Sequence, residues 1–347
     1  MRRGAVSVTA CSLSVLGLVG AAGCSTGRKP ASTAASSAAS SSPSNNASGT
    51  RPNAPPRPPN GLNGSPAGVG RPVLAVKIDN TRPAHPQVGL GNADIVYVEQ
   101  VEGELTRLLA VFSSSLPAVI GPTRSARESD LDLLREYGRV NFAFSGANQG
   151  VLRLVHAAPV HEISPDTVPN AFFRDPGRRS PYNLFLRPQR AMAARASATA
   201  GDIGLRFAAA VPTTGTVTHG FSVRYGPATR IALRYDPTHR TWPVSMDGRS
   251  ARLPNGTQLA PANVLVQYVR VRASHFHDVL GNVTPFTQTT GTGTAVVFRD
   301  GRAISGHWSR PKLDGGTRFT DARGADIPLR PGQSWILLVP AGTRLTS

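Results

Sequence analysis

Residues 71–130 read RPVLAVKIDNTRPAHPQVGLGNADIVYVEQVEGELTRLLAVFSSSLPAVIGPTRSARESD. In Val73 to Asp79 apolar and polar positions alternate, with Leu74, Val76 and Ile78 on one face and Lys77 and Asp79 on the other, so this run predicts a strand. The segment after Asn80 carries too many prolines and glycines for regular structure. Ala93 to Gln100 and Glu104 to Phe112 predict two further strands joined at Val101-Glu102-Gly103, with Gly103 at a positive-φ position of a hairpin. Ala118 to Ile120 predicts a short buried strand.

Ser125 and Glu128 have capping-box spacing, and Leu131, Leu134 and Tyr137 then share one helical face until Gly138. Arg139 to Ser145 reads as a strand, Gln149 to Ala157 as a helix, and Pro181 to Ala196 as a third helix with proline in its first turn. Interleaved strands and helices point to an α/β or α+β layered sheet-and-helix domain over residues 71–205. The pattern dissolves into Ala, Gly and Thr around 198–217. Beyond it, FSVRYG, TRIALRYD, NVLVQYVRV, GTAVVFRDG, AISGHWSR and SWILLVP are short runs between turn residues, which predicts a smaller, mainly-β domain over 215–345.

Upstream, Arg2 and Arg3 precede the apolar run Ala5 to Val19, which ends in Ala21-Ala22-Gly23-Cys24. This is a secretory signal with a lipobox-like site, over residues 1–24, whose cysteine would be acylated. The apolar run is too short to span a bilayer. Cys11 leaves with the signal, so the mature chain has no intramolecular disulfide and depends on its core. Residues 25–70 are rich in Ser, Ala, Pro, Gly and Asn, a composition that predicts a disordered tether reaching roughly 35–40 Å. These features predict a protein held through Cys24 on the extracytoplasmic face of the cell membrane.

Lys and Arg number 38 against 20 Asp and Glu, a formal charge of +18. Residues 1–70 contain six basic residues and no acid, so the remainder keeps 32 against 20, or +12. Such a surface favours anionic partners, among them a cell-wall polymer or its lipid-linked precursor, while export argues against nucleic acid. A G+C-rich genome gives the same bias, since only three of the 38 are lysines.

The candidate ligand-binding set is Asp79, Asn80, Asp94, Glu99, Glu102, Arg107, Arg124, Ser125 and Arg127. Arg124 and Arg127 flank a predicted helix start, where free N–H groups favour anions, and Arg107 comes from a neighbouring strand. Guanidiniums grip phosphate or carboxylate through paired hydrogen bonds. The competing reading pairs these arginines with Asp94, Glu99 and Asp130 to brace the layers. Asp79, Asp94 and Glu102 form a second candidate set, oxygen ligands for a divalent cation, although their spacing matches no cation loop. No other cofactor is indicated. His275 and His277 could share a strand face but lack a third ligand. There is no G-x-S-x-G, H-E-x-x-H or phosphate loop, and Ser145-Gly146 lacks the glycine that would precede a nucleophile elbow. Trp308 and Trp335 read as core residues.

The segments AVKIDN (Ala75 to Asn80), HPQVGLGNADIVYVEQVEGELTR (His85 to Arg107), GPTRSAR (Gly121 to Arg127), FRDG, GHW and PGQSWILLVP resemble the YerB-like bacterial lipoprotein family, domain of unknown function 3048. The resemblance covers nearly all of Arg71 to Pro340. It implies a lipid-anchored extracytoplasmic protein with an α/β N-terminal domain, a β-rich C-terminal domain and no established activity. This chain has Glu104 where the family pattern places a second glycine. Three functions compete. The first is recognition of an anionic ligand at the arginine cluster without catalysis. The second is metal-assisted phosphoryl or glycan-pyrophosphate chemistry. The third is protein interaction through the β-rich domain.

Overall fold

The computed structural model describes residues 61–347. The signal segment, Cys24 and most of the tether lie outside the described residues. Elements of the N-terminal half are β1 (Leu74–Asp79), β2 (Ile95–Gln100), β3 (Thr106–Phe112), α1 (Glu128–Leu134), β4 (Asn141–Ala143), α2 (Gln149–Ala157), β5 (His161–Ile163), β6 (Phe172–Arg174), β7 (Leu184–Leu186) and α3 (Pro188–Ala194). There follow β8 (Thr216–Val217), β9 (Gly220–Gly226), β10 (Thr229–Arg234), β11 (Val244–Met246) and β12 (Arg249–Ser250). The chain ends with β13 (Asn263–His277), β14 (Val283–Gln288), β15 (Gly291–Arg299), β16 (Arg302–Arg310), β17 (Arg318–Asp321) and β18 (Ser334–Pro340).

One mixed sheet of twelve strands runs through both halves in the order β17-β16-β15-β13-β18-β2-β3-β1-β4-β5, with β14 paired to β13 and β8 to β16. The joint is β18, which lies parallel to β13 on one side and to β2 on the other. Its residues SWILLVP are apolar almost throughout, as a strand buried on both faces requires. Alternation along each strand builds two cores. Leu74, Val76, Val96, Val98, Leu108, Trp335 and Leu337 enter one, beneath β9–β11, the β6–β7 hairpin and α3. Ala75, Tyr97, Leu109, Val111, Ile336 and Leu338 enter the other, beneath α1 and α2.

Three helices form as the sequence pattern predicts, α2 over its expected span but α1 and α3 shorter, so the molecule is a large mixed sheet with sparse helical cover rather than a fully layered α/β fold. Pro181 to Ala196 is not one helix: Leu184–Leu186 pairs with β6, Leu186 also bridges Ile120, and only Pro188–Ala194 is helical. Pairing with a sheet partner overrides local helix preference there. The expected strand at Ala118 to Ile120 shrinks to the Ile120–Leu186 bridge. Helix α1 starts at Glu128 with Arg127 as its cap, and the Asp130 carboxylate, not Ser125, closes the turn by accepting from the Arg127 N–H at 2.6 Å. The end of the tether is packed: Leu62 is buried in the second core and Ser65 caps a short turn at Pro66–Gly68. The β2–β3 hairpin forms as its pattern predicts, with Gly103 at φ 66° and Glu104 also left-handed at φ 57°. Left-handed backbone is what glycine adopts without strain, so Glu104 occupies a position glycine would suit better.

Candidate functional site

The strands β1, β2 and β3 bring charged residues to one end of the sheet, where Arg107 lies opposite Asp79 on one side and Glu99 on the other. The segment after Gly121 extends this edge. Arg124 donates its N–H to the Lys77 carbonyl at 2.8 Å, its own carbonyl accepts from Ser145 at 3.0 Å, and Ala126 N–H bonds Gly146 O at 3.0 Å. That threading fixes Arg124, Ser125 and Arg127 beside Arg107. The β2–β3 turn supplies Glu102, and the β13–β14 hairpin supplies His277, Asp278, Val279, Leu280 and Thr284. Together they enclose a cleft of about 630 Å³, into which all three predicted arginines open.

Their partners differ. Arg127 grips Glu102 through two nitrogens, Nε at 2.7 Å from Oε1 and Nη2 at 2.7 Å from Oε2. Thr284 Oγ1 also donates to Glu102 Oε1. Burial opposes the Glu102 charge, but the Arg127 hydrogen bonds and charge outweigh it and hold its pKa below the ordinary value. Arg124 lies 2.8 Å from Asp79 Oδ2 through Nε, though neither atom has an aligned hydrogen bond, and it sits 5.9 Å from the Tyr182 ring centre. Asp79 Oδ1 accepts from the N–H and hydroxyl of Thr81, both at 2.7 Å.

Arg107 is different. Its Nη1 donates to the Ser125 carbonyl at 2.9 Å, and among the described residues it forms no ion pair. Desolvation, then the neighbouring charges of Arg127 and Arg124, push its pKa down to about 9 against the pull of Glu102 and Asp79. The guanidinium stays charged at neutral pH, in surroundings that an incoming anion would improve.

Not every predicted residue reaches this cleft. Asp94 stands at the opposite end of β2, where its carboxylate accepts from the Ser113 N–H at 2.6 Å, the Ser114 N–H at 2.9 Å and the Ser114 hydroxyl. It caps the turn after β3, and burial raises its pKa. Asn80 turns away to donate to Thr106 Oγ1 at 2.8 Å while its oxygen accepts from Gln87 at 3.0 Å, which ties the ends of β1 and β3 together. Glu99 faces the second core, not the cleft. Lys77 Nζ lies 2.9 Å from Glu99 and 2.6 Å from Asp130, all three side chains withdrawn from water. Burial and then the Asp130 charge push the Glu99 pKa up to about 7 against the pull of Lys77. Thus Asp79, Asp94 and Glu102 are not gathered around a common point, and among the described residues no three His, Cys, Asp or Glu side chains are placed to hold a metal.

Sequence reasoning missed Lys77 as the partner of Glu99 and Asp130. The available signal was a lysine in the middle of an otherwise apolar strand. It also missed the wall built by His277 to Thr284, for which local pattern offers none. His275 and His277 are exposed, and Trp308 and Trp335 are buried, their indole N–H groups donating to Tyr268 O at 2.8 Å and Gln333 Oε1 at 2.9 Å.

Residues 61–201 match the N-terminal domain, and residues 221–336 the C-terminal domain, of a protein family of unknown function, DUF3048. The chain is 26% identical over 279 residues to "Putative lipoprotein YerB" of Bacillus subtilis (strain 168), covering 78% of this chain and 81% of that protein. The crystal structure of YerB from Bacillus subtilis superposes with a TM-score of 0.71 at 23% identity, over 84% of this chain and 100% of that one. That likeness establishes the fold.

Proposed function

Because the chain belongs to the DUF3048 family, carrying its two domains in order, we propose that it is a lipoprotein anchored through Cys24 on the extracytoplasmic face of the cell membrane, and that it binds a phosphate- or carboxylate-bearing envelope ligand in the arginine cleft. The signal segment with its lipobox and the lipoprotein name of the Bacillus relative support the anchor. Among the described residues no helix is long and apolar enough to cross a membrane. The observation that carries the ligand reading is Arg107, a guanidinium facing an open cleft with no carboxylate of its own beside two that have one. Recognition is favoured over metal-assisted chemistry because Asp79 and Glu102 already hold arginines, Asp278 is bonded within its own turn, and Asp94 is elsewhere.

Pyrophosphate and a tricarboxylate, titrated by calorimetry against the full chain, test the site. Salt-sensitive binding that Arg107→Ala abolishes is the expected result. Binding unchanged in that variant, or absent in the parent for both anions, refutes the reading. Replacement of Cys24 by Ser should move the protein from the membrane fraction to the soluble envelope fraction.

A further inference from the structure

The rim of the arginine cleft is apolar where water-facing residues are expected to be polar. Val279 and Leu280, at the tip of the β13–β14 hairpin, are 101% and 83% exposed, and Leu105 beside them is 38% exposed. Eight large apolar side chains are exposed among the described residues; these three line the cleft, and a fourth, Val283, stands on the same hairpin. Scattered single apolar residues need no explanation, but a group of them at the mouth of a cationic cleft does.

The tip is held outward by built contacts. The Asp278 carboxylate accepts from the Leu280 N–H, the Asn282 N–H and the Asn282 amide, each at 2.9 Å, and Gly281 takes φ 83° to close the turn. The hairpin arms are pinned as well: Ser274 donates to Glu128 at 2.6 Å, Asn148 to the His277 carbonyl at 3.0 Å, and Thr284 to Glu102. The apolar pair is therefore presented by a fixed turn whose acid is consumed internally, while Arg272, His275 and His277 leave exposed basic groups along the same arm.

Resting on the anion reading above, we infer that the ligand is an amphiphile: a phosphate-bearing lipid in a membrane surface, its phosphate received by Arg107 and its first hydrocarbon segment and neighbouring lipids covering Val279, Leu280 and Leu105. A soluble anion would engage only the cleft floor and leave the rim in water. A lipid phosphate satisfies both parts at once, because guanidinium pairs with phosphate and apolar side chains gain by entering the headgroup boundary. The exposed Arg272 on the hairpin arm adds attraction to an anionic leaflet.

The test uses the full chain with Cys24→Ser throughout, so that no acyl chain contributes to attachment. Sedimentation with phosphatidylcholine vesicles, with and without phosphatidic acid, is compared with calorimetric binding of glycerol phosphate. The double variant Val279→Ser, Leu280→Ser alters only exposed side chains and should fold as the parent does by circular dichroism. It should lose about tenfold or more of its affinity for phosphatidic acid vesicles, the scale expected for two apolar side chains returned to water, while binding glycerol phosphate as before. Arg107→Ala should lose both. Vesicle binding that the tip variant leaves unchanged overturns the inference while the anion site stands. Vesicle binding that needs the tip but not Arg107 means insertion without phosphate recognition, and also overturns it. Failure of the parent to bind glycerol phosphate or pyrophosphate instead removes the underlying anion reading.

Discussion

Lys77 and Asp79 lie two residues apart on the same face of β1, and the charge clusters they belong to are paired differently. Around Lys77, one ammonium meets two carboxylates, Glu99 and Asp130, with side-chain exposures of 0%, 2% and 0%. In the cleft beside Asp79, two of three guanidiniums hold Asp79 and Glu102, Arg107 holds a carbonyl, and the third acid, Asp278, is bonded within its own turn; Arg124 retains 26% exposure. Asp130 joins the two, one oxygen on Lys77 and the other on the Arg127 N–H. The deep cluster has no route to solvent, so burial, and after it the Asp130 charge, pushes the Glu99 pKa up to about 7. In the cleft, Arg107 is the guanidinium left without an ion-pair partner, and it borders an open cavity. The two clusters thus differ less in residue type than in which group is left without an ion-pair partner and whether it borders a cavity.

Removing the cation of the deep cluster should have the largest effect. Lys77→Met leaves two buried carboxylates facing one another and should cost about 3–5 kcal/mol of stability by urea denaturation. A loss below about 1 kcal/mol would show that the triad contributes nothing net. The second test is pH. Glu99 in the folded chain, at about 7, lies above its ordinary 4.5, so between those values the folded state holds a proton that the unfolded state has released. Its contribution is fully present below pH 4.5 and is lost as pH rises through 7, amounting at most to on the order of 3 kcal/mol. Glu99→Gln should flatten that decline, and a parent and variant with parallel stability–pH curves would contradict it.

On the cleft side, Arg127→Ala strands the buried Glu102 with Thr284 as its remaining side-chain donor and should lower stability by about 1–3 kcal/mol, measured by thermal or urea unfolding. Arg107→Ala should change stability by no more than about 1 kcal/mol, since it removes one hydrogen bond to a carbonyl that Arg127 also serves. Yet it should erase stabilisation by pyrophosphate in a thermal melt. If the two arginine variants destabilise equally and neither affects ligand, the cleft is a second brace and the contrast collapses.

The hairpin β2–β3 was legible because its strands alternate and Gly103 marks the turn. Pro181 to Ala196 was misread because proline can open a helix or a turn equally well, and only the presence of Ile120 and β6 as partners decides for the strand. In the site, the convergence of Arg107, Arg124 and Arg127 followed from their positions at a strand start and a helix start. The inclusion of Asp94 ignored strand arithmetic. Five residues from Glu99 at about 3.3 Å each place it roughly 16 Å away, at the other end of the sheet.

By itself the amino-acid sequence determined where charge collects and which runs make strands and turns, since each depends on neighbours within a few residues. Tertiary structure decided which arginine is left without an acid, which acids are sealed against Lys77, and that a hairpin meeting Glu102 across 182 residues of chain walls the cleft. Those outcomes depend on how side chains compete for partners once the sheet brings distant segments together, and no local period encodes that competition.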